Sequence, residues 1–392
     1  MNKNLCILPW ISIEASPLGD IRPCCLSNEN IYNKSGNLSL KNTTLSSAFN
    51  SSYMDNLRKE FIAGGKPQNC QRCWNEENSG RVSKRQNSWS RLHGFVKDID
   101  FTRNDSGKLM FLDLKLGNIC NLKCRICGSF SSSKWAQEEI NIYLDNEKAK
   151  ENLKRGRWPR ESESFWKDLT NLLENTRYFE FTGGEPFLID EHFDLLEKAV
   201  QLGYAKNIEI HYNTNGTTFP KRGLELWPHF KLIEIALSID DIGPRFEYQR
   251  YGANWSEVNH NLEKFYELRK SNKNIVLQLC MTSNVQNFYY IDEMCEWITK
   301  QNFNSVYFNV LHDAWYFNIA RLNKQSKDLI YNKLKNYGGP YNDEVKKLLD
   351  FMMQGKESDC SMLRVMLKNS DEQRNQKFSD HHSEIAAAIG YE

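Results

Sequence analysis

The segment LGNICNLKCRICGSF places Cys120, Cys124 and Cys127 within eight residues, in the spacing CxxxCxxC, with no fourth cysteine nearby. Three thiolates on one loop can hold three irons of a [4Fe–4S] cube and leave the fourth iron open. An open metal position is where a ligand binds and reacts. The neighbours suit such a loop: Asn121 and Lys123 are polar, Ile126 is apolar, and Gly128 lets the backbone turn away. A zinc site borrowing a distant fourth ligand is the alternative use of the same three residues.

A second motif, Gly183-Gly184-Glu185-Pro186, follows the β-rich run RYFEFT. Two glycines permit positive φ and close approach of a ligand to the main chain, and Pro186 ends strand pairing. Glu185 adds a carboxylate beside carbonyl groups, a receptor for an ammonium ion. A phosphate loop would instead offer N–H groups and a lysine. Five further cysteines, Cys6, Cys24, Cys25, Cys70 and Cys73, precede both motifs, so eight of the eleven lie in the first third of the chain. Such clustering in a reducing compartment points to metal ligation rather than to disulfides. Cys280, Cys295 and Cys360 stand alone. Cys280 and Cys360 are candidate hydrogen-atom donors set against the ordinary role of a small packing residue, and Cys295 reads as core.

From residue 109 the chain alternates β-rich runs (LMFLDLKL, RYFEFTG, NIEIHYN, LIEIALSID, NIVLQLCMT, SVYFNVL) with helical patterns, one of them near Ser132 to Leu144. Six β–α repeats predict an α/β fold with a parallel sheet closed partly into a barrel. Function in such barrels sits at the C-terminal strand ends, which puts the cysteine loop and the glycine turn on one face. Three regions are expected: a turn-rich, irregular cysteine module over 1–104, the barrel over 105–325 and a helical extension over 326–392. A metal cluster would give the first of these the constraint its sparse apolar pattern lacks. Acids and bases nearly balance at 50 and 51 residues, which argues against a nucleic-acid binder. No apolar run is long enough to span a bilayer and the N-terminus lacks a cleavable signal, so a cytoplasmic location without membrane attachment is expected.

CxxxCxxC after the first strand and GGEP after the second resemble the radical S-adenosylmethionine (radical SAM) superfamily. The resemblance implies that Cys120, Cys124 and Cys127 hold a [4Fe–4S] cluster whose open iron is chelated by S-adenosylmethionine. It implies that Gly183, Gly184 and Glu185 receive the amino group of that cofactor, with Ile126 against adenine. It also places Asn215, Ser238, Asp240, Arg250 and Leu311 near the ribose, carboxylate or adenine. Arg250, in FEYQRYG, suits a carboxylate because its planar fork pairs in a bidentate way. The early cysteines resemble a Twitch/SPASM module, here placed before the barrel. Cys6, Cys24 or Cys25, Cys70 and Cys73 would then ligate an auxiliary [4Fe–4S] cluster, with zinc as the alternative.

The resemblance implies reductive cleavage of S-adenosylmethionine to a 5′-deoxyadenosyl radical, fed by an external one-electron donor such as flavodoxin or ferredoxin. The expected substrate is a peptide or protein side chain, modified oxidatively or crosslinked. Dehydrogenation or epimerisation of a small molecule such as a sugar or aminocyclitol is the alternative within the class. A non-catalytic iron–sulfur or zinc protein is the alternative outside it, but such a protein gains nothing from an ammonium receptor.

Overall fold

The computed structural model describes residues 3–78, 82–142, 146–312 and 314–391. Leu144, at the end of one expected helix, lies outside them; that helix runs over Ser133–Ile142. Eight strands matter here: β1 (Ser12–Ala15), β2 (Ile21–Arg22), β3 (Phe111–Lys115), β4 (Tyr178–Thr182), β5 (Glu209–Thr214), β6 (Leu232–Ser238), β7 (Ile275–Ser283) and β8 (Ser305–Val310). They form one sheet in the order β8-β7-β6-β5-β4-β3-β1-β2. The last six are the six strands expected from the sequence, and the fold is α/β with its parallel strands linked through helices. No helix among the described residues is long and apolar enough to cross a membrane.

Two compact units share the chain: Met1–Cys120 with Ser129–Asn213 and Pro220–Glu234, and Asn121–Gly128 with Thr214–Phe219 and Ile235–Glu392. In the first, alternation along the strands separates two sheet faces. Phe179 and Phe181 are fully buried, and Phe181 meets His192 of the helix Asp190–Gln201 at 5.1 Å, so this face is covered by helices. Glu180 points the other way, to the inner face.

The cysteine module is less irregular than its sequence suggests. It contains helices Ser52–Ile62, Gln71–Asn78 and Lys84–Leu92. Ser83 opens the last of these with a capping box closed by Gln86, which satisfies two otherwise orphaned N–H groups. The module also supplies β1, which pairs parallel to β3 with Glu14 opposite Asp113. The helix Lys84–Leu92 lies over the inner face of that sheet: the Arg91 guanidinium sits 4.6 Å over the Tyr178 ring and Lys84 reaches Asp113.

In the second unit β7 alternates between buried and half-buried positions, with Leu279 and Met281 in the core and Cys280 on the opposite face. Beyond β8 the chain is helical, as expected, over Lys324–Leu334, Asn342–Gln354, Ser361–Arg374 and Ser383–Ile389.

Candidate active site

The first unit carries the glycine turn and Cys120. Gly183 has φ +119°, a conformation that favours glycine, and the Gly184 and Glu185 amides donate to the Gly117 and Ile119 carbonyls at 3.0 and 2.8 Å. A Cβ on Gly184 would lie 2.2 Å from the Ile119 carbonyl oxygen, and one on Gly183 2.7 Å from the Leu116 nitrogen. The turn therefore packs main chain against main chain on the segment that delivers Cys120. Glu185 is buried and its carboxylate accepts from the Phe187 amide at 3.2 Å. Ser133 fixes Cys120 itself, accepting from its amide at 3.3 Å.

The second unit carries the rest of the cysteine loop. The Lys123 and Arg125 amides donate to the Tyr251 and Gln249 carbonyls at 2.9 and 2.8 Å, a short ladder that holds the loop. Asn215 donates to the Asn121 side chain at 3.0 Å and accepts from the Thr217 amide at 2.9 Å. A hydrogen bond with Cys127 lowers the Cys124 thiol to about 7; burial opposes this, and Arg250 assists it. A thiol biased towards thiolate suits iron ligation. Cys127 is exposed and Ile126 half-buried.

Asp240 and Arg250, read separately from the sequence as cofactor contacts, pair with one another. Arg250 Nε donates to Asp240 Oδ2 at 2.9 Å, and Nη1 lies 4.0 Å from the Cys124 sulfur. The other Asp240 oxygen accepts from the Thr282 amide at 2.8 Å. The pair is buried, where an unpaired charge is costly, so Arg250 serves as a cationic neighbour of Cys124. Cys280 belongs to the same neighbourhood; burial, reinforced by Asp240 and opposed by Arg250, pushes its thiol up to about 12. Ser238 is half-buried at the end of β6. Leu311 is buried, its amide donating to the Ser283 carbonyl. Cys360 is packed rather than displayed: it is 3% exposed, and its sulfur accepts from the Asn323 amide at 3.3 Å.

Two residues that no motif announced anchor the loop. The Arg125 guanidinium donates to Asp371 at 2.7 Å and to the Tyr248 carbonyl at 3.0 Å, lying 3.7 Å over the Tyr248 ring. Asp371 also accepts from the Tyr248 hydroxyl at 2.8 Å and the Phe378 amide at 2.7 Å. A lone aspartate in a helical tail gives no sequence signal of this role.

The early cysteines form a second centre within the first unit. Burial raises the Cys6 thiol, and Cys24, Cys70 and Cys73 raise it further. Cys70 responds in the same way to burial, Cys24 and Cys73. Cys6 thus feels Cys24, Cys70 and Cys73, and Cys70 feels Cys24 and Cys73, each influence disfavouring ionisation, a conflict that a cationic iron–sulfur core would relieve. Among the described residues no three His, Cys, Asp or Glu side chains converge on a single-ion site.

Cys25 turns elsewhere. Lys84 Nζ donates to its sulfur at 2.8 Å, and Lys84 in turn lies 3.6 Å from Asp113 and 4.0 Å from Glu180. These groups belong to a polar row in direct register across five strands: Arg22, Glu14, Asp113, Glu180 and His211. Burial works against the charge of Asp113, but Lys115 and Lys84 more than offset it and hold the carboxyl below its usual range.

Residues 114–298 match the radical SAM superfamily, and residues 6–74 match the SPASM iron–sulfur cluster-binding domain. The chain therefore carries a radical SAM domain preceded by a SPASM module. Its cofactors are S-adenosylmethionine with a [4Fe–4S] cluster and an auxiliary iron–sulfur cluster, which replaces the zinc alternative. None of the curated proteins compared matches the chain. Among solved structures it is similar to native anSMEcpe with bound AdoMet and Cp18Cys peptide, at 18% identity and TM-score 0.40, covering 62% of each chain. It is also similar to SuiB of Streptococcus suis bound to the precursor peptide SuiA, at 14% identity and TM-score 0.36, covering 77% of this chain and 68% of that one.

Proposed function

We propose that this enzyme uses S-adenosylmethionine to abstract a hydrogen atom from a peptide or protein residue. When bound, the cluster and S-adenosylmethionine supply the 5′-deoxyadenosyl radical, and the auxiliary cluster supplies an electron relay. Cys120, Cys124 and Cys127 are the residues that would hold the first cluster, and Cys6, Cys24, Cys70 and Cys73 the second. Gly183 and Gly184 let the main chain approach the cofactor's amino group, and Glu185 adds the negative charge that favours an ammonium ion. Arg250 supports the thiolate of Cys124, while Asn215 and Arg125 hold the loop that bears it.

The observation that carries this reading is the seating of the Gly183–Glu185 turn on the backbone leading to Cys120. An electron-transfer protein has no use for a receptor turn locked to a cluster loop. A peptide substrate is favoured by the pairing of a radical SAM domain with a SPASM module.

The test is anaerobic reconstitution followed by iron and sulfide counts, EPR with and without S-adenosylmethionine, and detection of 5′-deoxyadenosine. About eight irons, one EPR signal shifted by S-adenosylmethionine and one not, and 5′-deoxyadenosine after reduction are expected. An intact protein whose signals ignore S-adenosylmethionine would refute the proposal.

A further inference from the structure

Two consecutive aspartates follow β6, and they have different partners. Asp240 pairs with Arg250 beside Cys124. Asp241 instead holds Arg245 at a pocket that the radical chemistry does not use. This pocket, of about 500 Å³, lies within the second unit and is lined by Arg245, Trp255, Glu293, Trp297, Asp380 and His381. Its size suits a small ligand or a single side chain. Asp241 is buried, and its two oxygens accept from Arg245 Nε at 3.2 and 3.0 Å. Glu293 accepts from Nη2 of the same guanidinium at 2.6 Å. Arg245 is thus shared by two carboxylates, and Asp380 adds a third negative charge. Asp380 is exposed and pairs with no cation among the described residues. Trp255 and Trp297 are half-buried, with ring centroids 5.5 Å apart and planes inclined at 56°. Tryptophan faces attract cations, and the stem of a long basic side chain packs well on apolar rings. An excess of carboxylates beside two tryptophans therefore selects a cation carried on an apolar stem.

We propose that this pocket binds a lysine or arginine side chain of the peptide substrate, away from the residue that reacts. The inference rests on the peptide reading above and names a feature by which such a peptide is chosen. The aliphatic stem packs on Trp255 and Trp297, and the cationic head meets Asp380 and Glu293. The Glu293 side chain is 48% exposed, so it keeps lone pairs free for a second donor. Ile242, which also lines the pocket, lies four residues past the end of β6. Function in βα barrels sits at that end of the strands. Asp380 and His381 come from the helical extension, just after Phe378, whose amide donates to the loop anchor Asp371. The turn after β6 therefore carries both the partner of Arg250 and the partner of Arg245. One short segment serves the cluster's cationic neighbour and the peptide pocket.

The test uses the fully loaded protein, unreduced and anaerobic, at low salt, where surface charges are least screened. The probes are capped tripeptides, acetyl-Gly-X-Gly-amide, with arginine, lysine, glutamine or glutamate at X, and binding is read by calorimetry. The arginyl peptide, the lysyl peptide or both should bind at least about tenfold tighter than the glutamyl one. Their ratio tells which cation the pocket prefers. Asp380→Asn, at an exposed position, should weaken that binding by roughly threefold, and Trp297→Leu by about fivefold. Asp380→Lys should abolish it. Melting temperature and iron content show that each variant is folded and loaded. Equal binding of all four peptides, or unchanged affinity in Asp380→Lys, overturns the proposal. Tighter binding of the glutamyl peptide overturns it too and assigns the pocket to an anionic partner. Because no reductant is added, the result is independent of 5′-deoxyadenosine formation. Protein that makes 5′-deoxyadenosine but ignores the cationic peptides overturns the pocket alone. Protein that binds them but never makes 5′-deoxyadenosine refutes the radical reading alone.

Discussion

The glycines of the Gly183–Glu185 turn are required by contact as well as by ligand approach. Gly184 faces the Ile119 carbonyl so closely that any side chain would collide with main chain, and main chain cannot swing aside as a side-chain tip can. Gly184→Ala should therefore destabilise the protein by about 1–3 kcal/mol or more, as overpacking does. It should also weaken S-adenosylmethionine binding by shifting the segment that bears Cys120. Thermal melts and equilibrium binding on the loaded protein check both; an unchanged melting temperature would mean the turn is looser than its contacts imply. At this scale the motifs themselves were legible in the sequence. The contact of the Cys25 sulfur with Lys84 was not, because adjacent residues on a turn diverge according to the packing around them. Nor was the pairing of Asp240 with Arg250, since ten positions of sequence separation carry no sign of contact.

Elements show the same division. All six barrel strands announced themselves as β-branched or aromatic runs bounded by turn residues. β1 and β2 did not, being four and two residues long in a segment rich in prolines, glycines and cysteines. Long-range pairing with β3 makes β1 a strand, and β2 is one by pairing with β1. The helix Asp190–Gln201 shows how an element is tied to the sheet. His192 is fully buried, with Nδ1 2.5 Å from the Ile189 carbonyl and Nε2 3.2 Å from the Tyr212 hydroxyl. Burial lowers its pKa to about 3. Because the folded-state value is depressed, the unfolded chain takes up the proton first as pH falls. Full stability is therefore present above the unfolded value of about 6.5, and it is lost progressively as pH falls towards 3. At pH 5 the loss from this residue should be about 2 kcal/mol. His192→Gln, which stays neutral, should flatten the acid limb of a stability–pH curve measured between pH 7 and 5. A curve of unchanged slope would mean that another group dominates.

Across the second unit, the helical extension is part of the site's support rather than an appendage. Asp371 gathers Arg125, Tyr248 and the Phe378 amide, and the Tyr391 hydroxyl also donates to it. Arg125 lies between Cys124 and Cys127 in the chain, so this hub fixes two cluster ligands from 246 residues away. Removing one partner of a buried ion pair strands the other and typically costs about 3–5 kcal/mol. Asp371→Ala should therefore lower the melting temperature. It should also abolish the EPR signal that responds to S-adenosylmethionine while sparing the auxiliary signal, whose ligands belong to the first unit. The paired variant Arg125→Met with Asp371→Leu separates packing from charge. With both charges gone no ion is stranded, so its melting temperature should recover in part, the Tyr248 and Tyr391 hydroxyls and the Phe378 amide still lacking their acceptor. If the S-adenosylmethionine-sensitive signal recovers with it, the hub acts by holding the loop in place. If stability returns without the signal, the Arg125 charge itself serves the cluster, and the extension tunes the centre as well as bracing it.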